Sequence, residues 1–299
     1  CLHFEPDPAL DNIPRGILFV LLAILCFVSL DTVAKFMGGV LDPLQVVWGR
    51  YFFSVLLLPL MVPPRRLRVS LRTKRPWLQL LRSVLLVSTT AVFFTAITFM
   101  PLADAIAIGF IAPLIGTALS IPVLGEKVGL RRWSAIAIGF IGMLIVLRPG
   151  FEDRHWAYFL PLAAAVMMAG YNVATRLVVR SDSADTSLVW TNVFGAVVSC
   201  IVVVAVPGIW QPPGALDWAM LVTIGGLASL GHICLILAFR YAPIGTLAPF
   251  TYAEIVLAVI AGWIAFGDWP DIWTFVGAAV IAGAGIYVFR REAQLARGG

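Results

Sequence analysis

Charged side chains are scarce in this sequence. They make up 12% of its 299 residues, while 61% of the residues are apolar. A soluble domain carries about 25% charged residues. Charge at half that level cannot cover a surface that faces water, and this excludes a cytosolic enzyme. The chain is therefore predicted to be an all-α polytopic membrane protein, with lipid around its outer surface.

Motifs for catalysis and metal binding are also missing. Cys26, Cys200 and Cys234 lie in apolar runs without a CxxC pair, so they are expected to be small buried side chains. No GxxxxGK[ST] loop and no HExxH occurs, which excludes a nucleotide-driven pump and argues against an enzyme. The nearest approach to G-x-S-x-G, around Ser229, has Leu227 at the first glycine. No cofactor, metal site or catalytic residue is predicted.

Ten apolar runs are long enough to cross a membrane, since a spanning helix needs about 20 mostly apolar residues. The connections between them are mostly short and leave no room for a separate soluble domain. Only 63–76 and 208–218 are predicted to be longer loops. The predicted spans are 16–37, 43–62, 77–99, 103–124, 131–149, 157–179, 186–207, 219–240, 245–266 and 271–290.

Basic residues favour one side of this predicted bundle. If the N-terminus is cytoplasmic, all but five of the 21 Lys and Arg residues fall at cytoplasmic helix ends. The exceptions are Arg148 and Arg154 at the opposite ends, and Lys35, Arg50 and Arg82 within helices. Because positive charge collects in cytoplasmic loops, both termini are predicted to be cytoplasmic. These cytoplasmic basic residues account for the net charge of +5, and no nucleic-acid partner is predicted.

The two halves of the chain repeat each other. Under a shift of 142 residues several positions coincide, and each half contains five predicted spans. An odd number of spans makes the second half enter the membrane from the opposite side, so two inverted repeats are predicted, over 1–150 and 151–299. Inverted repeats with a site between them near the midplane are typical of transporters. The coinciding pairs include Ala96 and Ala238, Pro101 and Pro243, and Gly125 and Gly267.

Short motifs occur in the same order in both halves. They are WGRYFF around Arg50, AITFMPL at 96–102, Pro113, LGEKV at 124–128, AFRYAPIGTL at 238–247 and YAEIVLAVIAGWIAFGD at 252–268. In these motifs, and over nearly all of 16–290, the chain resembles the ten-helix EamA group of the drug/metabolite transporter superfamily. It departs from the group's pattern at Asp268, where Glu is usual, and at Ile255, where Pro commonly follows a Glu.

This resemblance implies a secondary transporter of the bacterial inner membrane that exports small amphipathic metabolites by alternating access. The branch that the chain resembles most is that of bacterial aromatic amino acid exporters, so aromatic or neutral amino acids are the expected substrates. Alternatives are an exporter of cationic drugs or of other metabolites and, more remotely, a passive channel or an intramembrane enzyme. The expected partners are a small-molecule substrate and the lipid bilayer, with the chain acting as a monomer.

A charged group inside the bilayer costs about 3 kcal/mol on insertion scales, and so marks either function or a compensating pair. Asp31 and Lys35 lie four residues apart on one helix face. They fit either a self-neutralising ion pair or an entry site for a charged or zwitterionic substrate. Arg50 is expected to pair with a carboxylate or with helix-end carbonyls. Arg82, near Trp77, is expected to extend to the cytoplasmic face.

Glu254 is the main functional candidate, because it lies almost at the midplane of the ninth span. A carboxyl group at that depth could exchange a proton or bind a substrate ammonium group. It could also be a protonated hydrogen-bonding link between helices. His232 lies near the centre of the eighth span, where hydrogen-bonded packing competes with contact to a substrate.

Aromatic and small polar side chains gather at a similar depth. Any one of them could be ordinary packing, but as a set they could line a cavity for a flat, amphipathic solute. The substrate-binding residues predicted from the sequence are Asp31, Thr90, Phe93, Phe94, Phe110, Tyr171, Asn172, His232, Tyr252 and Glu254.

Overall fold

Helices account for almost all of the chain that the structure describes. This computed structural model describes residues 12–62, 64–124, 130–147, 156–178, 181–242, 247 and 250–297, and no β-strand occurs among them. The all-α class predicted from the sequence is confirmed, with a 3₁₀ turn before α8 at Trp156–Tyr158. The helices are α1 (Ile13–Met37), α2 (Pro43–Met61), α3 (Pro64–Ser70), α4 (Pro76–Ile97), α5 (Leu102–Gly109), α6 (Ala112–Leu124), α7 (Leu130–Leu147), α8 (Phe159–Val178), α9 (Ala184–Ala205), α10 (Ala215–Tyr241), α11 (Ala253–Phe266) and α12 (Ile272–Arg297).

Within the part of the chain that the structure describes, seven helical segments are long and apolar enough to cross a membrane, and each coincides with one of the predicted spans. Three shorter apolar helices, Ile136–Val146, Ala253–Phe266 and Ile272–Tyr287, fall within the other three. The chain is therefore a membrane protein with several spans, and the total of ten stays a prediction.

Prolines and short capping side chains set where several helices begin. Proline occupies the first turn of α1, α2 and α4, where its missing N–H breaks no helical hydrogen bond. The side chain of Asn12 accepts from Arg15 N–H at 3.1 Å, and that of Asp42 accepts from Leu44 N–H at 2.8 Å. These bonds satisfy donors that the start of a helix leaves open. At the other end of α11, Gly267 adopts a left-handed conformation with φ of 70° and terminates the helix.

The fourth predicted span, 103–124, coincides with the apolar segment Leu102–Val123, but a turn interrupts the helix within it. The chain leaves the helix at Phe110 and Ile111, between α5 and α6. Pro113 follows in the first turn of α6, and because it has no N–H it cannot continue the hydrogen bonding of the helix before it. The loop predicted over 63–76 is also partly helical, since α3 lies within it.

The ninth predicted span, 245–266, is interrupted as well. Residues 247 and 250–251 are helical, a turn follows at Tyr252, and α11 begins after it. Tyr252 makes no side-chain capping bond to the helix it precedes. Under the shift of 142 residues that relates the two halves, Tyr252 corresponds to Phe110. Both interruptions therefore fall at equivalent positions.

The helices of the first half pack against those of the second. α1 lies along α10, α2 contacts α9 and α10, α4 lies along α8, and α11 contacts α1 and α5. α7 and α12 approach so closely that a Cβ added at Gly277 would meet the Gly142 carbonyl at 2.6 Å. The interface between the halves is consequently formed by helices of both, among them α1, α2, α4 and α5 of the first half and α8, α9, α10 and α11 of the second.

One end of the bundle is held by the Asp182 carboxylate, in the turn between α8 and α9. It accepts hydrogen bonds from Thr73 Oγ1, from the backbone N–H of Lys74 (3.0 Å) and from Gln79 Nε2 (3.0 Å). Partial burial acts to raise the pKa of Asp182, but these hydrogen bonds outweigh burial and hold the pKa below its usual value. The link is thus fully present above about pH 4 and is lost as the pH falls through the lower folded-state pKa. We call this the Asp182 end.

The opposite end is held by contacts of α1 and α2. Lys35 Nζ, in the last turn of α1, lies 2.5 Å from Asp268 Oδ2 and donates to the Met100 carbonyl at 3.0 Å. The side chain of Gln45 exchanges two hydrogen bonds with the backbone of Gln211, at 2.8 and 2.9 Å. The 22 residues of α4 separate this Asp268 end from the Asp182 end by about 30 Å.

We expect the Asp182 end to face the cytoplasm, because the basic helix ends lie there. Arg72 and Pro212 are exposed at opposite ends of the bundle. Each would be replaced by cysteine in a separate variant of a chain in which serine replaces the native cysteines. A membrane-impermeant maleimide should label Pro212→Cys in right-side-out vesicles and Arg72→Cys in inverted vesicles. Labelling of both cysteines in the same vesicles alone would contradict the alternation of the helices.

Candidate functional site

The two helix interruptions meet inside the bundle. The ring centroids of Phe110 and Tyr252 lie 5.1 Å apart, with the ring planes inclined by 31°. Lipid cannot hydrogen-bond the peptide groups that a broken helix exposes, so such breaks occur where they are buried in protein or line a cavity. Interrupted segments at corresponding positions of two repeats are also the best pointer to the binding site of a transporter. This ring pair marks the candidate site.

The hydroxyl of Tyr252 is held against α12. It lies so close to Gly285 that a Cβ at that position would overlap it. Phe110 and Tyr252 are both half-buried, as expected of rings that border a cavity. The absence of a side chain at Gly285 therefore sets the position of the Tyr252 ring.

Arg50 on α2 brings a positive charge into the interior. Its Nη1 donates a hydrogen bond of 2.6 Å to Thr90 Oγ1 on α4, and the Tyr51 hydroxyl lies 3.0 Å from the same oxygen. The guanidinium carbon lies 5.3 Å from the ring centroid of Tyr51 and 5.8 Å from that of Phe94, within range of a cation–π interaction. Among the described residues these are its partners, and not the carboxylate or helix-end carbonyls expected from the sequence.

Two carboxyl groups share the interior with Arg50. Asp31 on α1 and Glu254 in the first turn of α11 are half-buried, although protein atoms surround both of them densely. Asp31 lies within electrostatic range of Glu254 and of Arg50. Neither carboxyl group makes a hydrogen bond or an ion pair with the residues that the structure describes.

Of the two alternatives for Asp31 and Lys35, the self-neutralising ion pair does not form. Lys35 reaches the Asp268 end instead, where its ammonium group contacts Asp268 and lies 4.7 Å from the ring centroid of Phe266. Its long stem lets the charge leave the face that it shares with Asp31. Asp31 is consequently left without a cationic partner on its own helix.

Arg82 is buried, with 6% of its surface exposed, and the prediction that it extends to the cytoplasmic face is wrong. Its guanidinium donates to Thr175 Oγ1 (2.8 Å), Thr191 Oγ1 (2.7 Å), the Ser187 carbonyl (2.8 Å) and the Tyr171 hydroxyl (2.7 Å). These acceptors take four of the five N–H donors that a guanidinium offers. Arg82 thus links α4 to α8 and α9 and fixes Tyr171.

His232 lies within electrostatic range of the candidate site but is engaged by its own helix. Its Nδ1 hydrogen-bonds the Ala228 carbonyl at 2.7 Å, and Phe27 meets its ring edge-on with centroids 5.3 Å apart. Phe93 packs against the apolar core and makes no described contact with the other predicted site residues.

One face of α8 changes from buried to exposed along its length. Pro161 and Ala165 are buried, whereas Asn172 and Arg176, further along the same face, are exposed. Arg176 lies in the last turn of α8, towards the Asp182 end, where its charge can reach water. Asn172 lies one turn further along the helix towards its start, next to Tyr171.

Tyr51 and the true partner of Lys35 were missed by the sequence analysis. Tyr51 follows Arg50 directly in the WGRYFF motif, and this adjacency was the available signal. The pairing of Lys35 with Asp268 spans 233 residues, and no local pattern could reveal it.

A single family model matches both halves of the chain. The model of the EamA-like transporter family matches residues 14–148 and again 155–290. The chain therefore has the two-repeat architecture of that family, while the inverted orientation of the repeats stays a prediction.

Curated relatives extend over nearly the whole chain. It is 29% identical over 287 residues to the S-adenosylmethionine uptake transporter of Rickettsia bellii, covering 96% of this chain and 97% of the relative. It is 29% identical over 287 residues to the riboflavin transporter of Vibrio cholerae, covering 95% of each. It is 26% identical over 289 residues to the pseudopaline exporter CntI of Pseudomonas aeruginosa, covering 95% and 99%.

A solved crystal structure shares the fold. It superposes with a TM-score of 0.62 at 18% sequence identity and covers 94% of this chain and 99% of the other. At that identity the likeness concerns the fold alone.

Replacing Gly285 by Ala should destabilise the protein, because the new methyl group overlaps the Tyr252 hydroxyl. Overpacking of this kind costs about 1–3 kcal/mol. The matched control is Gly283→Ala on the same helix, where an added Cβ meets nothing within 4 Å. Thermal denaturation in detergent micelles should show a lower melting temperature for Gly285→Ala only.

The double variant Gly285→Ala/Tyr252→Phe provides the decisive comparison. Removing the hydroxyl should restore most of the stability lost in Gly285→Ala. Equal losses in the single and double variants would show that the Tyr252 hydroxyl is not what Gly285 accommodates.

Proposed function

The chain belongs to the EamA-like transporter family, and we propose that it moves a small, flat, amphipathic metabolite across the bacterial inner membrane by alternating access. The observation that carries this proposal is the contact of Phe110 with Tyr252, at equivalent positions of the two halves. In alternating access, one repeat moves against the other around a fixed site between them. A site built from equivalent positions of both repeats meets that requirement.

The names of the relatives support a substrate with a flat ring system. S-adenosylmethionine and riboflavin both contain a planar heteroaromatic ring, which suits the faces of Phe110 and Tyr252. The narrower expectation from the sequence, export of aromatic amino acids, gains no support from these names. The relatives include both an uptake transporter and an exporter. The proposal therefore concerns the site and its class of solute, and does not include the direction of transport.

Within the proposed site, Glu254 and Asp31 contact the substrate beside the ring pair. Asp31 lies on α1 of the first repeat and Glu254 on α11 of the second, and these two helices pack against each other. Movement of one repeat against the other would therefore change their separation. We propose that the chain acts as a monomer with both termini in the cytoplasm.

Glu254→Gln should lower the rate of solute counterflow into proteoliposomes by about tenfold or more, because it removes a charge from the binding site. The measurement is the initial rate of exchange of labelled S-adenosylmethionine, riboflavin and tryptophan against the same solute inside. Asp217→Asn is the matched control. Asp217 accepts from Gly214 N–H at 2.9 Å at the exposed start of α10, far from the site, and an amide oxygen can accept the same bond.

Three results would contradict the proposal. Equal rates for wild type and Glu254→Gln would remove Glu254 from the site. Flux that does not saturate and shows no counterflow would indicate a channel. Absence of exchange for every ring-bearing solute would overturn the proposed substrate class.

A further inference from the structure

We propose that Lys35 is a gate at the Asp268 end, and that the candidate site opens to this side of the membrane when the contact between Lys35 and Asp268 breaks. The two residues belong to different repeats, since Lys35 lies on α1 and Asp268 follows α11. The inference rests on the proposed function, because a gate serves a protein whose repeats move against each other.

Lys35 joins the outer ends of the two short helices that lead to the ring pair of the candidate site. α5 begins two residues after Met100, and α11 ends at Phe266, two residues before Asp268. The ammonium group donates to the Met100 carbonyl at 3.0 Å and to Asp268 Oδ2 at 2.5 Å, and it lies 4.7 Å from the ring centroid of Phe266. One cation therefore holds together a helix end of each repeat.

The passage between these two helix ends is shut. The apolar residues that flank Lys35 and Met100 along the chain, Met37, Leu41 and Leu102, are buried and belong to one apolar core. α5 and α11 also contact each other. The eight residues of α5 place the ring pair about 12 Å inside this closed end. Separation of the outer ends of α5 and α11 would open a direct path to the ring pair.

The contact of Lys35 can break at a lower cost than that of Arg82. The side chains of Lys35 and Asp268 are 12% and 31% exposed, so water can replace each partner when they separate. An ion pair with access to water contributes little to stability. Arg82 is only 6% exposed and donates to four acceptors, and a charge buried in this way is costly to separate from its partners. Lys35 therefore suits a reversible contact, and Arg82 a permanent one.

A cysteine at Phe110 reports whether the gate is open. Phe110→Cys would be made in the chain in which serine replaces the native cysteines, and a charged, membrane-impermeant thiosulfonate would be applied from the Asp268 end. Its modification should be about fivefold faster in Asp268→Asn, because the neutral amide no longer attracts the ammonium group. Asp268→Glu keeps the charge and should retain the slow rate.

Asp217→Asn is the matched control for the loss of a carboxylate. Asp217 lies at the start of α10, and its hydrogen bond to Gly214 N–H stays within the second repeat. This variant should therefore leave the modification of Phe110→Cys unchanged. In Lys35→Asp, modification should be fast, and the charge-swapped Lys35→Asp/Asp268→Lys should recover part of the slow rate because the attraction between the two positions returns.

A reversible cross-link tests whether the contact has to open during transport. In Lys35→Cys/Asp268→Cys, a short bifunctional thiosulfonate would join the two side chains, and a reductant would cleave the link. Counterflow of labelled riboflavin and S-adenosylmethionine into proteoliposomes should be lost on cross-linking and return on reduction. Each single-cysteine variant, treated with the same reagent, controls for modification alone. The comparison before and after reduction decides the question even if Asp268→Asn does not fold.

Two results would show that Lys35 is a fixed clamp and would overturn the inference. They are an unchanged rate for Phe110→Cys in Asp268→Asn, and full counterflow by the cross-linked protein. Either result leaves the proposed function standing if the wild type exchanges a solute. Absence of counterflow for every probe in the wild type would overturn the proposed function instead.

Discussion

Hydrocarbon solvates neither a peptide group nor a charge, and this constraint governs the architecture of the protein. It requires apolar helices that satisfy their own backbone groups, and it allows a broken helix only inside the protein. The two breaks, before α6 and before α11, accordingly meet each other at Phe110 and Tyr252 and not the lipid. The same constraint gathers the interior charges of α1, α2 and α11 at the interface between the halves.

Charge satisfaction separates the structural residues from the candidate functional ones. The buried guanidinium of Arg82 is surrounded by hydroxyl and carbonyl acceptors and stabilises the packing of α4 on α8 and α9. Lys35 joins α1 to the turn after α11. Arg50, Asp31 and Glu254 are held in place without neutralising one another. Among the described residues, these three groups therefore differ from Lys35, which has an ion-pair partner, and from Arg82, which has four hydrogen-bond acceptors.

Local patterns in the sequence predicted the local structure, and long-range partners lay beyond them. The length of the apolar runs predicted where the spans lie. Proline and short polar side chains define the first turns of α1 and α2. The spacing of Asp31 and Lys35 correctly placed both on one face, but it could not show that Asp268 competes for Lys35. Pro113 was visible in the sequence as a helix breaker. For the break before α11, Ile255 replaces the Pro that commonly follows the Glu, and the sequence offered Pro249 as the alternative source of a kink.

We expect the interface between the two repeats to hold a water-accessible site that a substrate occupies. This can be tested by the rate at which a charged, membrane-impermeant thiosulfonate modifies Asn172→Cys, compared with Val166→Cys on another, exposed face of the same helix. We predict rapid modification of Asn172→Cys from the Asp182 end, slow modification of Val166→Cys, and protection of Asn172→Cys by a saturating transported solute. Equal rates at the two positions, or a rate at Asn172→Cys that no transported solute changes, would contradict it.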